Sequence, residues 1–308
     1  MYYHSLNEEL RRRFGGKVYK LSLSSGCSCP NRDGTLGTRG CLFCDGAGAF
    51  AETGDIPAQL RRAKARLHGK EGEGRYLAYF QSFTNTYAPA SCLRPLFTAA
   101  MAPEEVVALS VATRPDCLPP GILDLLAELN RRKPVWVELG LQTIHPESAA
   151  YLRRGYELPV FEGAVRALRA RGIEVIVHLI LGIPGETRED MIASARYAGQ
   201  WADGVKLHLL HVLDGTDLAA EYAAGRVRPL EREEYFGLLE DCLRVLPPSV
   251  VIHRLTGDGA KRDLLAPLWS GDKKRVLNAI RRAFQQDGLV QGSDYRPPLR
   301  ASGEIAGK

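Results

Sequence analysis

Four of the seven cysteines in this chain lie close together, between Cys27 and Cys44. Eleven residues separate Cys29 from Cys41, and two separate Cys41 from Cys44. Thiolates are ligands for soft metal ions and iron-sulfur clusters, and the glycines of the intervening loop let the backbone wrap around a compact group. An odd, clustered set does not suit a disulfide framework. We expect Cys29, Cys41 and Cys44 to bind a metal cluster and to leave one of its coordination sites open.

The fourth cysteine, Cys27, allows a different interpretation. Four thiolates would saturate a structural zinc ion or a closed electron-transfer cluster. Only one residue separates Cys27 from Cys29, which is a less common chelating spacing than the two residues between Cys41 and Cys44. We therefore predict three ligands, with a four-cysteine zinc site or closed cluster as the alternative.

The elements that position this loop follow a repeating pattern. Apolar runs rich in β-branched residues alternate with helix-like stretches, which is typical of a parallel sheet. The runs are KVYKLSLSSG, RYLAYFQSF, VVALSVAT, PVWVELGL, IEVIVHLILG and DGVKLHLLHVL. Six such units are too few to close an eight-stranded barrel, so the pattern favours either an open (β/α)6 barrel or a doubly wound sheet. Both place their functional loops at the carboxyl ends of the strands.

The last part of the chain has a different character. We assign residues 1–249 to the core and residues 250–308 to a mainly helical accessory segment with a basic helix and a tail. Residues 261–308 hold ten Lys/Arg against five Asp/Glu, which accounts for the whole net charge of +5. These basic residues could contact nucleic-acid phosphates, and an ordinary solvated surface is the alternative. They include Lys261, Arg262, Lys273, Lys274, Arg275, Arg281 and Arg282.

Composition and the N-terminal residues indicate where in the cell the protein is expected. A content of 45% hydrophobic and 25% charged residues is ordinary for a folded globular chain. The first sixteen residues are polar and charged, and no window approaches the roughly 18 apolar residues of a membrane span. We predict a cytosolic protein without membrane association.

These motifs resemble a known superfamily. Three cysteines in a loop after the first strand of a partial βα barrel look like the radical S-adenosylmethionine (radical SAM) superfamily. The long gap after Cys29-Pro30 is similar to the catalytic subunit of the Elongator complex. CPNRDG at 29–34 followed by CLFC at 41–44 is most similar to a small bacterial family labelled YhcC/YtqA. Five further segments resemble the same family: AYFQSFTNTYAP, ATRPDCLP, ELGLQTIHPESAAYLRRGY, HLILGIPGET and RLTGDGAKRDLLAPLW.

The resemblance implies a partial open (β/α)6 barrel and two cofactors, a [4Fe-4S] cluster and S-adenosylmethionine. In the family pattern the first ligand is the cysteine before proline, which selects Cys29 and leaves Cys27 as an extra thiol. Phe43 matches an aromatic position that packs near the adenine. Gln81, Ser82 and Thr84 stand where many relatives have a Gly-Gly-Glu motif for the methionyl amine, so this segment is expected to bind that amine without the motif.

Further cofactor contacts are implied at the ends of later strands. Glu138 and Gln142 lie on one face of their strand, by its period of two, and the matching glutamine in similar enzymes contacts the ribose. Arg154 resembles an arginine that pairs with the methionyl carboxylate. The turn with Gly182 and Pro184 looks like the adenine-binding turn. His178 replaces an acidic ribose contact of some relatives; a satisfied core histidine is the alternative. Arg114, Asp116 and Lys206 are candidates without roles.

In function, the resemblance implies reductive cleavage of S-adenosylmethionine to a 5′-deoxyadenosyl radical, with electrons from a reductase or a flavodoxin- or ferredoxin-type donor. The similarity to Elongator implies modification of the wobble-uridine side chain of tRNA, in a chain without room for a separate acetyltransferase domain. Two alternatives stay open. One is a radical enzyme that acts on a small metabolite. The other is a non-enzymatic redox carrier or zinc-bearing RNA-binding protein.

Overall fold

The computed structural model describes residues 2–45, 54–67, 74–257, 259 and 261–297. The strands are β1 (Val18–Leu23), β2 (Arg75–Phe80), β3 (Val106–Thr113), β4 (Val135–Gln142), β5 (Glu174–Leu181), β6 (Gly204–Leu209), β7 (Val212–Leu213), β8 (Val251–Arg254) and β9 (Leu264–Ala266). The helices are α1 (Leu6–Phe14), α2 (Ile56–Ala65), α3 (Ala90–Met101), α4 (Pro120–Asn130), α5 (Pro146–Tyr151), α6 (Leu158–Arg169), α7 (Arg188–Trp201), α8 (Asp217–Ala223), α9 (Arg232–Val245) and α10 (Lys273–Gln286).

Seven strands form one parallel sheet in the order β1-β2-β3-β4-β5-β6-β8, and the sheet curls into an open half-barrel. This confirms the predicted partial barrel. The sheet has one strand more than the six βα units of the sequence pattern, because β8 pairs with β6. Since β8 begins at Val251, the segment assigned to the accessory part contributes to the sheet. The boundary at residue 249 stays a prediction.

The two faces of the sheet are built differently. Helices cover the outer face with aliphatic side chains, and residues of alternate parity face the inside of the curl. The inner face is layered: an apolar layer near the strand starts is followed by a polar layer. The apolar layer contains Leu10, Val18, Leu77, Ala108, Trp136 and Ile176. The polar layer, two residues further along several of these strands, contains Tyr79, Ser110, Glu138, His178 and Lys206.

The open edge beside β8 is covered by both ends of the described chain. Ser5 forms a parallel bridge to Ile252, and the amide of Ile252 donates to the carbonyl of His4 at 2.7 Å. The C-terminal helix α10 buries Val276, Ile280 and Phe284, which are spaced four residues apart on one face. The N-terminal and C-terminal segments therefore pack together where the half-barrel does not close. Within the described residues no helix is both long and apolar enough to cross a bilayer.

Candidate active site

The cysteine loop follows β1 directly and is organised by its own backbone hydrogen bonds. The amide of Arg32 donates to the carbonyl of Cys29 at 2.8 Å, and the amide of Cys44 donates to that of Cys41 at 3.0 Å. Gly40 has a φ of +76°, and a Cβ there would lie 2.8 Å from the Arg32 guanidinium. That guanidinium donates to the carbonyl of Cys44 at 2.7 Å. The loop conformation thus depends on a glycine at position 40.

Contacts with later elements hold the loop in place over the barrel. The amide of Leu42 donates to the carbonyl of Leu152 at 3.2 Å, and the amide of Leu218 donates to the carbonyl of Leu42 at 3.0 Å. Asn31 donates from Nδ2 to the carbonyl of Arg153 at 2.7 Å and lies 3.3 Å from the sulfur of Cys41. These anchors tie residues far apart in the chain to the cysteines.

A cavity of about 190 Å³ opens between this loop and the carboxyl ends of β2 to β5. All three predicted ligands, Cys29, Cys41 and Cys44, line it. Six of the ten predicted cofactor contacts also line it: Phe43, Thr84, Glu138, Gln142, Arg154 and His178. Gln81, Ser82, Gly182 and Pro184 are outside its wall. The structure therefore joins the cysteines and most of the predicted contacts at one place.

Three of the four clustered cysteines share the cavity. Among the described residues no three Cys, His, Asp or Glu side chains are arranged to hold a single metal ion. Cys27 packs against the main apolar core and does not line the cavity, so the four-cysteine alternative gains no support. Burial raises the pKa of the Cys41 thiol to about 11, which means that its thiolate form needs a positive partner. Three thiols around one cavity suit a cluster with one open site.

The end of β2 contributes an unpaired polar atom. Thr84 is 1% exposed, and its Oγ1 has no hydrogen-bond partner in the described part of the chain. A buried hydroxyl without a partner is costly, and Thr84 lines the cavity, so a ligand there would satisfy it. Gln81 instead donates to Ser22 Oγ at 3.1 Å, and the Ser82 carbonyl accepts from Asn85. The roles predicted for these two side chains stay predictions.

The polar layer beneath the cavity centres on Glu138. This 1% exposed carboxylate accepts from Ser110 at 2.7 Å, lies 2.8 Å from His178 Nε2, and forms an ion pair with Lys206. Burial alone would raise the pKa of Glu138, but the Lys206 charge and the His178 hydrogen bond outweigh it and hold that pKa well below its usual value. Burial, together with the Lys206 charge, lowers the pKa of His178 to about 4. At neutral pH the cavity wall therefore presents a neutral imidazole backed by an ionised carboxylate.

Gln142 reaches the cavity through an irregular strand end. Its φ is +66°, and the pairing of β4 with β5 shifts register between Gly140 and Gln142. A Cβ on Gly140 would lie 2.7 Å from Gln142 Nε2, so the Gln142 side chain folds back over position 140 and would have to move if that residue were larger. Such a left-handed conformation in a non-glycine residue is often found at functional sites.

Arg154 is buried, with 4% exposure, and most of its donors are already used. Four of its five N–H groups donate to backbone carbonyls, those of Leu141, Thr143 and, twice, Tyr156. Its guanidinium also lies 4.6 Å from the centroid of the Tyr156 ring. Arg154 therefore holds the backbone of the cavity wall in place. One of its N–H groups remains available for the predicted pairing with a carboxylate.

The turn after β5 lies beside the cysteine loop. Gly182 has a φ of +93°, and a Cβ there would lie 3.1 Å from Leu230. Ile183 packs with Leu42, and Phe43 packs against the same apolar cluster. The adenine-binding role predicted for Gly182 and Pro184 stays a prediction.

Several wall residues were not predicted from the sequence. Arg32 and Phe83 stand at the cavity, with the Arg32 guanidinium 5.7 Å from the Phe83 ring centroid. Phe83 is 37% exposed and has a φ of +57°. The half-buried Tyr156 ring lies between two arginines, Arg114 and Arg154. The Arg32 side chain could have been found from its place between two predicted ligands, whereas the left-handed conformation of Phe83 has no local signal.

Comparison with known proteins shows which family this chain resembles. The family model described as "Radical SAM superfamily" matches residues 34–198, and the "Radical_SAM C-terminal domain" model matches residues 202–286. Protein YtqA of Bacillus subtilis (strain 168) is 43% identical over 96% of this chain and 93% of its own length. Protein YhcC of Escherichia coli (strain K12) is 39% identical over 94% of each. A tRNA uridine(34) acetyltransferase of Dehalococcoides mccartyi is 29% identical over 61% of this chain and 41% of its own length.

A solved structure shares the fold. Elp3 of the archaeon Methanocaldococcus infernus, with an N-terminal deletion, matches 89% of this chain and 64% of its own with a TM-score of 0.67 and 18% identity. The chain therefore belongs to the radical SAM superfamily, whose enzymes use a [4Fe-4S] cluster and S-adenosylmethionine.

Proposed function

We propose that this enzyme uses Cys29, Cys41 and Cys44 to hold its cluster and modifies the side chain of the wobble uridine of tRNA by radical chemistry. The observation that carries the first part is that these three thiols line one cavity together with Thr84, Glu138, Gln142 and His178. When bound, the cluster supplies the electron that cleaves S-adenosylmethionine to methionine and a 5′-deoxyadenosyl radical.

The protein's own groups would orient the cofactor. His178 donates from Nε2 to the ionised Glu138, so its Nδ1 is left as an acceptor for a ribose hydroxyl. The unpaired Oγ1 of Thr84 is suited to the methionyl amine or carboxylate. Gln142, in the wall beside them, offers both a donor and an acceptor. Together they would hold the cofactor in one orientation before its cleavage.

The tRNA part rests on the similarity to the tRNA uridine(34) acetyltransferase and on the fold shared with Elp3. The match spans 41% of the acetyltransferase, so we transfer to this chain the radical step on uridine 34 and not acetyl transfer. An external reductase or a flavodoxin- or ferredoxin-type protein would deliver the electron. A small-metabolite substrate is the alternative, and for it the basic surface would have no role.

The cluster assignment is tested by anaerobic reconstitution with iron and sulfide, followed by dithionite and S-adenosylmethionine. Alanine at Cys29, Cys41 or Cys44 should abolish 5′-deoxyadenosine formation. The matched control Cys27→Ala removes a thiol outside the cavity wall and should retain the activity. Loss of activity in Cys27→Ala alongside zinc binding by the wild type would contradict the assignment.

The substrate assignment needs a separate assay. Bulk bacterial tRNA is incubated with active enzyme, digested, and its nucleosides are compared by mass spectrometry. We expect a mass change in a nucleoside derived from uridine 34 that depends on S-adenosylmethionine. An enzyme that forms 5′-deoxyadenosine but leaves every tRNA nucleoside unchanged would favour the small-metabolite alternative.

A further inference from the structure

A second depression lies on the open side of the half-barrel, apart from the cysteine-lined cavity. This edge groove has a volume of about 520 Å³ and is lined by β1, β8, the first turn of α1 and one side of α10. Among its described lining residues are five Lys/Arg side chains and no Asp or Glu. The basic residues are Lys17, Lys20, Arg254, Lys273 and Arg281. Residues from both ends of the chain thus converge on one positively charged surface.

Aromatic rings lie between these charges. Tyr3 and Tyr19 line the edge groove, and the Lys17 ammonium lies 4.7 Å from the centroid of the Tyr19 ring. An adjoining depression of about 400 Å³ shares Tyr3 and Arg281 with the groove. It adds Tyr2, Arg282 and Gln285, together with one acidic residue, Glu8. Basic side chains interspersed with aromatic rings are the pattern that binds phosphates and stacks bases in single-stranded nucleic acids.

The start of α1 also lines the edge groove. Ser5, Leu6 and Asn7 lie there, and the Ser5 hydroxyl and the Glu8 carboxylate cap this end of the helix. The positive charge of the groove therefore comes from its basic side chains.

The edge groove is also close to the active cavity. Lys20 lies in the groove with its ammonium 4.2 Å from the centroid of the Tyr79 ring. On the same ring, the Lys206 ammonium lies 4.6 Å from the centroid and pairs with Glu138, which lines the cofactor cavity. The Tyr79 ring and the Lys206–Glu138 ion pair thus lie between Lys20 in the groove and the cysteine-lined cavity.

We infer that the edge groove binds the phosphodiester backbone of the RNA substrate. The inference rests on the proposed function, and it assigns to Lys17, Lys20 and Arg254 a part in substrate binding together with the basic helix α10. Because it is an ionic contact with several phosphates, binding depends steeply on salt concentration.

The test uses the reconstituted protein and fluorescently labelled bulk bacterial tRNA. Fluorescence anisotropy gives the Kd at several salt concentrations between about 0.05 and 0.3 M KCl, and the slope of log Kd against log salt concentration reports the number of phosphate contacts. The groove variant carries Lys17→Gln, Lys273→Gln and Arg281→Gln, all at exposed positions. We expect the Kd at about 0.1 M salt to rise at least tenfold and the log–log salt slope to fall by about 2, since each lost phosphate contact removes about 0.7.

A matched control removes the same charge elsewhere. Arg131→Gln, Arg132→Gln and Arg196→Gln lie at exposed positions outside the groove, and binding should change by less than about twofold. If the groove variant weakens binding no more than this control, the groove inference is wrong while the proposed function stands. If wild-type protein forms 5′-deoxyadenosine but does not bind tRNA, the tRNA proposal fails and the groove inference with it. Displacement of tRNA by millimolar-range inorganic phosphate at constant ionic strength would indicate a site for small anions and would also overturn it.

Discussion

The half-buried imidazole of His178 is hydrogen-bonded to the buried carboxylate of Glu138, with Nε2 of the histidine 2.8 Å from Oε2 of the glutamate. The two residues lie on neighbouring strands, β5 and β4, and Lys206 on β6 pairs with the same carboxylate oxygen. Three adjacent strands therefore supply one network, and its members Glu138 and His178 line the cysteine-lined cavity.

The His178 imidazole makes stability depend on pH. Its pKa in the fold is about 4, below the ordinary value of 6.5, so the unfolded chain binds the proton first as the pH falls. Stability from this group is complete above pH 6.5 and is lost between pH 6.5 and about 4. Relative to His178→Asn, the wild type should lose about 2 kcal/mol of unfolding free energy between pH 7.5 and pH 5. Anaerobic urea unfolding at both pH values measures this, and a pH-independent difference would contradict it.

Removal of Lys206 should leave Glu138 as a buried charge without its cation. Lys206→Met is expected to lower the free energy of unfolding by about 3 kcal/mol. The double variant Glu138→Gln/Lys206→Met removes both charges and should recover much of that loss, because no unpaired charge remains. Equal stability of the single and double variants in urea unfolding would show that the pair is not coupled.

Asn31 should tune the cluster through the Cys41 sulfur. Its Nδ2 lies 3.3 Å from that sulfur, and hydrogen bonds to ligand sulfurs stabilise the reduced cluster. Asn31→Ala should shift the reduction potential to more negative values in a potentiometric titration followed by electron paramagnetic resonance. The control Thr35→Ala alters the same loop, but its hydroxyl contacts Tyr87 and not a cysteine. Identical potentials in both variants would rule out this role of Asn31.

Gly140 should control S-adenosylmethionine affinity through Gln142. An alanine Cβ at position 140 would lie 2.7 Å from Gln142 Nε2 and would displace this side chain from the cavity wall. We expect Gly140→Ala to raise the Kd for S-adenosylmethionine about tenfold, the cost of roughly one hydrogen bond. Gly163→Ala on α6 is the control, since nothing lies within 4 Å of its Cβ. Equal affinities by equilibrium dialysis would argue against a cofactor contact by Gln142.

Glu240 should weaken the fold at alkaline pH. Burial, followed by a hydrogen bond with Asp287 next to α10, raises its pKa to about 7. Its contribution to stability is full below the ordinary value of 4.5 and is lost as the pH rises through about 7. Glu240→Gln should therefore raise the unfolding free energy by about 1–2 kcal/mol more at pH 8 than at pH 5. The surface variant Glu104→Gln should show no such difference.

The sequence by itself predicted the class of chemistry and the class of fold. Cysteine spacing predicted the ligands Cys29, Cys41 and Cys44, which the structure brings to one cavity. The βα alternation predicted a parallel sheet, as an open barrel or a doubly wound sheet, and the family resemblance favoured the partial barrel that the structure has. These signals are local in the chain. The inward direction of Glu138 followed from the period of two in a strand.

Only the tertiary structure decided which distant side chains meet. Arg154 is occupied by backbone carbonyls, His178 is held by Glu138 and Lys206, and Lys17 of the N-terminal segment joins Arg281 of α10 in one groove. Such contacts depend on the curl of the sheet and on the packing of the two chain ends. The sequence pattern does not reveal these contacts, because they join residues that are far apart in the chain and have no regular spacing.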